Sequence, residues 1–278
     1  MSIAAATRKL ESVGIVGAGR MGTPIIGHLV RKGFSTRVCD LNPARADAVR
    51  KLGAQWSGSP ESLAPECDAI LVCVGFDREV QALLAEGGPL RRARPGTVIA
   101  ILSTIHPRTV QTLAEQCAGA GIHVVDSTVC RGGEAADQGT LLSFVGGGDA
   151  VVERLAPVLR AYSADVVHTG GVGTAQVAKA ANNLILWACL VADHEALALA
   201  RHYGADVDAL RRALLISSCT NGPLEKWGTQ TMAWAEDDMA IVAEMAVEAG
   251  IALPQAGVNR EICRALKPKR YKLDLYGR

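Results

Sequence analysis

The sequence predicts an α/β domain with a doubly wound, mainly parallel sheet, followed by an all-α domain, with one long helix joining the two. Three observations predict it. Residues 1–168 alternate short apolar runs with longer amphipathic stretches, the pattern of strands connected by helical crossovers. The first of these runs opens into a glycine-rich turn and then a helical pattern. Beyond Gly170-Gly171-Val172-Gly173 only helical patterns remain, so residues 169–278 read as the second domain.

Val13-Gly14-Ile15-Val16 reads as a buried first strand, and Gly17-Ala18-Gly19-Arg20-Met21-Gly22 follows it directly. Residues 23–31 read as a helix with Ile25, Ile26, Leu29 and Val30 on its apolar side. Residues 36–40 read as a second strand ending in Asp40, about 20 residues beyond the turn. Strand, glycine turn, helix, strand and acid together form a dinucleotide-binding unit. Gly17 permits the tight turn, Gly19 lets the backbone approach a pyrophosphate, and Gly22 lets the helix pack on the strand. N–H groups at the helix start then face the phosphates. Further strands are expected at 69–74, 97–102, 122–126 and 142–146, with helices at 107–118 and 150–161. In the second domain helices are expected at 174–202, 206–216, 232–249 and 257–266. The first of these is apolar on most faces in its middle, which predicts cover on both sides.

Lys and Arg number 29 against 28 Asp and Glu, a net charge of +1. No basic block interleaves with aromatics, so nucleic acid is not an expected partner. The basic run at 267–272 reads as a solvated terminus. The eight cysteines form no CxxC pair and have no zinc-like spacing with histidine, so no metal is expected. Cys39 and Cys73 sit in apolar runs as small hydrophobes, and the scatter suits a reducing cytoplasm. Residues 1–9 lack the core of an export signal. The apolar stretch 184–192 is too short to cross a bilayer and runs into Asp193, His194 and Glu195, so no membrane is expected.

Three places carry candidate chemistry. Lys179 and Asn183 stand four residues apart on one helical face, with Asn182 beside them. Lys179 sits among Val177, Ala178, Ala180, Ala181 and Leu184. Desolvation eases a lysine's loss of its proton and suits a proton donor and acceptor, while snorkelling from a helix edge is the plain alternative. Asp126 to Gly133 reads as a strand end opening into a glycine-rich loop, where α/β sheets bind ligands; an ordinary connection would have the same composition. Ser103-Thr104, after a strand, can reach a ribose or cap the next helix, and capping is the simpler local reading. His106, His123, His168 and His194 have no catalytic partners by spacing.

Taken together the segments resemble the β-hydroxyacid dehydrogenase family over nearly the whole chain. Its opening pattern appears as Gly17 to Gly22 through Gly33-Phe34, followed by Val38 to Pro43. Its Ser-Thr-Ile segment is Ser103-Thr104-Ile105. Its substrate pattern is matched by Asp126 to Gly132, Gly139 to Leu141 and Val145 to Gly147. Its catalytic pattern is Gly171-Val172-Gly173 through Lys179, Asn182 and Asn183. The resemblance implies a Rossmann domain joined by the long helix to an all-α domain, with the active site in a cleft between them.

It further implies Lys179 as general acid/base and Asn183 as the residue orienting substrate. Ser127, Cys130, Arg131, Gly132 and Asn182 would bind a small hydroxy acid or its semialdehyde. Gly17, Gly19, Arg20, Met21, Gly22, Asp40, Val74, Thr104 and Asp237 would line the cofactor. Asp40 favours NAD, while Arg37 and Arg45 nearby leave room for NADP. A homodimer or homotetramer is expected. Three residues depart from the family pattern. Cys130 replaces a serine. Arg131 replaces a glycine and is expected to bind an anionic group of the substrate. Asp237 stands where a lysine is usual. An imine reductase shares this architecture, but retained Lys179 argues against it; a protein that binds NAD without turnover is the other alternative.

Overall fold

The computed structural model describes residues 9–229, 231–269 and 271–276, so the segment read for an export signal lies mostly outside the described residues, as does Arg270 of the basic tail. Among the described residues, nine strands form one sheet: β1 (Ser12–Val16), β2 (Ser35–Cys39), β3 (Gln55–Trp56), β4 (Ala69–Val72), β5 (Val98–Ile101), β6 (His123–Asp126), β7 (Val129–Cys130), β8 (Leu141–Gly146) and β9 (Ser163–Gly170). Their order is β3-β2-β1-β4-β5-β6-β8-β7, with β9 also paired to β8. The run from β3 to β6 is parallel throughout. β8 then pairs antiparallel with β6 and β7, and β9 lies parallel to β8. The chain leaves β1 toward β2 and β3 and returns to β4 on the other side. That reversal is the switch point outside whose strand ends ligands bind in open α/β sheets.

The inner strands are short apolar runs because both faces are covered. In β4, Ala69 and Leu71 join a core with Ile15, Ile25, Ile26, Leu29 and Tyr162. Ile70 and Val72 point the other way, into a core with Ile99, Ile101, Leu84 and Val110. The helix Gly22–Arg31 buries Ile25, Ile26 and Leu29 on the first side. The helix Pro107–Ala118 buries Val110, Leu113 and Cys117 on the second and has the expected ends.

Two compact units divide the chain, Met1–Lys179 and Ala180–Arg278. The division falls inside the long helix Thr174–His202, past the 168/169 boundary drawn from the sequence, because its first turns are hydrogen-bonded to the sheet loops. The second unit adds the helices Val207–Leu214, Gly222–Glu225, Ala235–Ala249 and Pro254–Leu266. Its main core gathers Trp187, Leu190, Val191, Met232, Met239, Val242, Cys263 and Leu266. By length and composition the long helix would suffice to cross a membrane, yet Trp187, Leu190 and Val191 are core residues of this unit. Among the described residues of one chain, the helix leaves Ile185 64% exposed and Leu199 60%.

Three strands differ from the sequence expectation. β3 and β7 are only two residues long. β9 lies largely exposed and mixes Asp165 and His168 with its valines, so no apolar alternation marks it. The glycine-rich stretch expected as a loop contains β7 and the helix Gly132–Gln138.

Candidate active site

The glycine turn is built from close approaches. Gly17 has φ +103°, and a Cβ there would lie 2.2 Å from the carbonyl oxygen of Cys73. A Cβ on Gly22 would lie 2.0 Å from the oxygen of Gly17. Gly19 is different: a Cβ there would meet only Arg45 Nη1, at 3.3 Å, so its backbone is left open to a ligand. Met21 precedes the helix Gly22–Arg31 and packs against the first core. This turn sits at the ends of β1 and β4, and the cradle fits a dinucleotide pyrophosphate.

Asp40 braces the turn. Its Oδ2 accepts from the Ala18 N–H at 2.7 Å and from Arg45 Nη1 at 3.1 Å, and its Oδ1 accepts from the Asn42 N–H at 2.8 Å. Arg37 faces Glu66 instead, at 3.6 Å. The Val74 N–H donates to Ser103 Oγ at 3.0 Å, and that hydroxyl donates to the Val74 carbonyl at 2.8 Å. The Ser103-Thr104 hydroxyls therefore do not cap the next helix; His106 does, accepting from the Arg108 N–H. Thr104 lies half-buried beside Ser103. Arg20 directs its guanidinium to Asp137 through two 2.7 Å hydrogen bonds.

A second corner holds Lys179. Asp126 is fully buried at the end of β6. It accepts from the backbone N–H groups of Gly173 at 2.7 Å and Gln176 at 2.9 Å, and so caps the long helix. Burial pushes its carboxyl above the ordinary range, against the pull of these N–H groups. The buried Gln176 side chain accepts from the Ile105 N–H at 3.0 Å and donates to the Ser103 carbonyl at 2.8 Å. Thr128 Oγ1 donates to the Ala175 carbonyl at 3.0 Å. Lys179 follows one turn later. Its Nζ donates to the Val129 carbonyl at 2.8 Å and stands 3.8 Å from Cys130 Sγ. It is half-buried, less enclosed than its apolar neighbours suggested.

Sequence reading missed the anchoring roles of Asp126, Gln176 and Thr128. An acid at a strand end, with Gly-x-Gly-Thr later opening a helix, was the available signal.

The remaining candidates divide. Ser127 is fully buried, and its hydroxyl has no hydrogen-bond partner among the described residues. Cys130 is buried in β7 beside Lys179. Arg131 is engaged within the chain. It sits at φ +85°, in the left-handed region, with Nη2 at 2.6 Å from Asp165 Oδ2 on β9 and Nη1 donating to the Thr140 carbonyl. The backbone geometry explains why a glycine suits this position. Gly132, at φ +77°, opens the helix Gly132–Gln138.

In the second unit, Asn183 is buried and accepts from Asn182 Nδ2 at 3.0 Å. Asp237 is exposed in the first turn of Ala235–Ala249, where an acid complements the positive helix end. Its neighbour Asp238 accepts from the Trp187 indole N–H at 3.0 Å.

Residues 12–171 match the NAD binding domain of 6-phosphogluconate dehydrogenase, and residues 173–274 match the NAD-binding region of NADP-dependent 3-hydroxyisobutyrate dehydrogenase. The chain is 29% identical to 2-(hydroxymethyl)glutarate dehydrogenase of Eubacterium barkeri, over 91% of this chain and 88% of that protein. It is 31% identical to 3-hydroxyisobutyrate dehydrogenase of Pseudomonas aeruginosa, over 77% and 72%. The structure of Mycobacterium tuberculosis 3-hydroxyisobutyrate dehydrogenase with L-serine superposes with a TM-score of 0.85 at 22% identity, covering 94% of this chain and 95% of that one, which is likeness of fold. The glycine turn, the sheet order and these matches define an oxidoreductase whose cofactor is NAD or NADP. Within that class, the chain belongs to the β-hydroxyacid dehydrogenase family.

Proposed function

We propose that the protein interconverts a small 3-hydroxy acid and its semialdehyde or keto form, with Lys179 as general acid/base. The observation that carries this reading is the tether of Lys179 Nζ to Val129, 2.8 Å away, beside Cys130. The acid/base is thereby held against the segment to which the family resemblance assigns the substrate. Two ammonium hydrogens are used, at the Val129 carbonyl and Cys130 Sγ, which leaves one for a substrate oxygen. NAD or NADP, when bound, supplies the hydride acceptor or donor. In oxidation the neutral Lys179 amine takes the hydroxyl proton; in reduction its ammonium returns it. Asn183, one turn further along the helix, orients the substrate through its amide. The family resemblance assigns Ser127, Cys130, Gly132 and Asn182 to the acid, and Val74, Thr104 and Asp237 to the cofactor. The acid class agrees with the hydroxy acids named for the two curated relatives.

Asp40 favours NAD, because a carboxylate repels a 2′-phosphate. A kcat/KM higher with NADP than with NAD would contradict that preference. The enzyme is expected to act in the cytoplasm as a homodimer or homotetramer. Exposed Ile185, Leu199 and Val247 on the helical unit support self-association, which light scattering measures. The activity itself is tested with purified protein, either cofactor and a panel including 3-hydroxyisobutyrate and 2-(hydroxymethyl)glutarate, followed by NAD(P)H absorbance. Turnover of a 3-hydroxy acid supports the proposal. Turnover of cyclic imines alone, or cofactor binding with no turnover of any acid, overturns it.

A further inference from the structure

Arg20 lies inside the glycine turn, where a phosphate contact is the obvious use of a cation. Its guanidinium is employed otherwise. Nη1 and Nη2 meet Asp137 Oδ1 and Oδ2, each at 2.7 Å, the two-pronged geometry of a strong arginine–carboxylate pair. A Cβ on Gly133 would lie 2.5, 2.8 and 3.0 Å from Nη2, Cζ and Nε, so this glycine passes flat beneath the guanidinium. Arg20 is thus fixed at one edge by a carboxylate and on one face by backbone. Hydrogen bonds from Arg20 hold the Asp137 carboxyl below its ordinary range, so the pair is ionised at neutral pH.

A second tie runs beside it. His28, on the helix that follows the turn, has Nε2 3.0 Å from the Ala136 carbonyl and 3.2 Å from that of Asp137. Its Nδ1 accepts from Arg31 Nη2 at 2.8 Å, which fits the tautomer that donates from Nε2. A Cβ on Gly139 would lie 2.6 Å from the His28 ring. Two glycines therefore clear space for two side chains of the cofactor corner to grip one short helix, Gly132–Gln138. That helix continues directly from Cys130 and Arg131.

We propose that Arg20 and Asp137 are positioning residues that latch the cofactor turn to the substrate segment, so that cofactor seating at Gly17–Gly22 sets the position of residues 130–138. The catalytic consequence rests on the function proposed above; the latch itself does not. Both partners are more than half exposed, so the pair adds little to stability and its variants are expected to fold.

Hydrogen exchange on the full chain, with and without saturating NAD or NADP, tests the latch without turnover. In wild type the cofactor should protect both 17–22 and 132–138. In Asp137→Ala it should protect 17–22 and leave 132–138 as in the cofactor-free protein. Equal protection of 132–138 in both proteins, or none in wild type, would overturn the latch. With an acid that turns over, Asp137→Ala should raise the acid KM by about fivefold, the low end of coupling between sites, at unchanged cofactor Kd, and Arg20→Met should raise the acid KM to a similar degree. The reciprocal pair Arg20→Asp with Asp137→Arg should recover part of that loss. If instead cofactor Kd rises in Arg20→Met and falls in Asp137→Ala while acid KM holds, Arg20 is a phosphate ligand and the latch is wrong. Absence of acid turnover in wild type would count against the proposed reaction, and the exchange experiment would still decide the latch.

Discussion

Two corners of the sheet unit meet the same demand for positive φ in different ways. At the cofactor corner Gly17 supplies φ +103°, in a space where the Cys73 carbonyl would strike any Cβ. At the corner proposed for the substrate Arg131 supplies φ +85° at the cost of backbone strain, with its side chain tied to Asp165 and Thr140. The first corner tolerates no side chain because backbone faces backbone. Arg131 is exposed at the second, so strain rather than collision is the objection there, and the half-exposed pair with Asp165 offsets at most part of it. The first corner lies in the segment that matches an NAD binding domain. The second is where this chain departs from the family pattern.

Substitutions separate collision at the first corner from strain at the second. The largest effect is expected from Gly17→Ala, which meets both collision and an unfavourable φ. Thermal unfolding should show a loss of about 4 kcal/mol or more, the range reserved for severe strain. A loss below about 1 kcal/mol would mean that the turn shifts easily. Asp126→Asn comes next. Both carboxylate oxygens accept from N–H groups, so the amide sets a donor against a donor, at about 1–3 kcal/mol.

Its pH dependence has a definite sign. Burial raises the Asp126 carboxyl in the folded protein above 3.8, so the native state holds the proton more tightly than the unfolded chain. The resulting stabilisation is complete below that ordinary value and is lost as pH rises through the raised one. The stability of wild type relative to Asp126→Asn should therefore decline as pH rises across that window. A difference that grows with pH would contradict the assignment.

At the second corner, Arg131→Gly and Arg131→Ala both remove the pair with Asp165, but only glycine relieves the backbone. Arg131→Gly should be the more stable by about 1 kcal/mol in denaturant titration. Equal stabilities would mean that the strain is negligible. The smallest change belongs to Asp137→Ala, whose unfolding free energy should stay within about 0.5 kcal/mol of wild type.

The sequence made the sheet unit legible where packing is two-sided. β4 and β5 are unbroken apolar runs, and the helix Pro107–Ala118 announces itself with Pro107 and its apolar period. The long helix Thr174–His202 was legible at both ends, with Lys179 and Asn183 on one face. β9 was not, because an exposed edge strand needs no apolar alternation. Glycines at 132 and 133 hid a helix. The pairings Arg20–Asp137 and Arg131–Asp165, like the reach of Asp126 to Gly173 and Gln176, join residues far apart in sequence. Only the folded chain chooses such partners, so a charge in the motif could be read but not its employment.

Replacing Lys179 asks whether its amine moves the substrate proton. The Lys179→Ala variant should lose about 10²–10⁴ in kcat on whichever 3-hydroxy acid the wild type turns over, while cofactor affinity from fluorescence quenching stays unchanged. Lys179→Arg should not restore the rate, because arginine keeps its proton near neutral pH. A Lys179→Ala enzyme that turns over at the wild-type rate would contradict the assignment of Lys179 as acid/base.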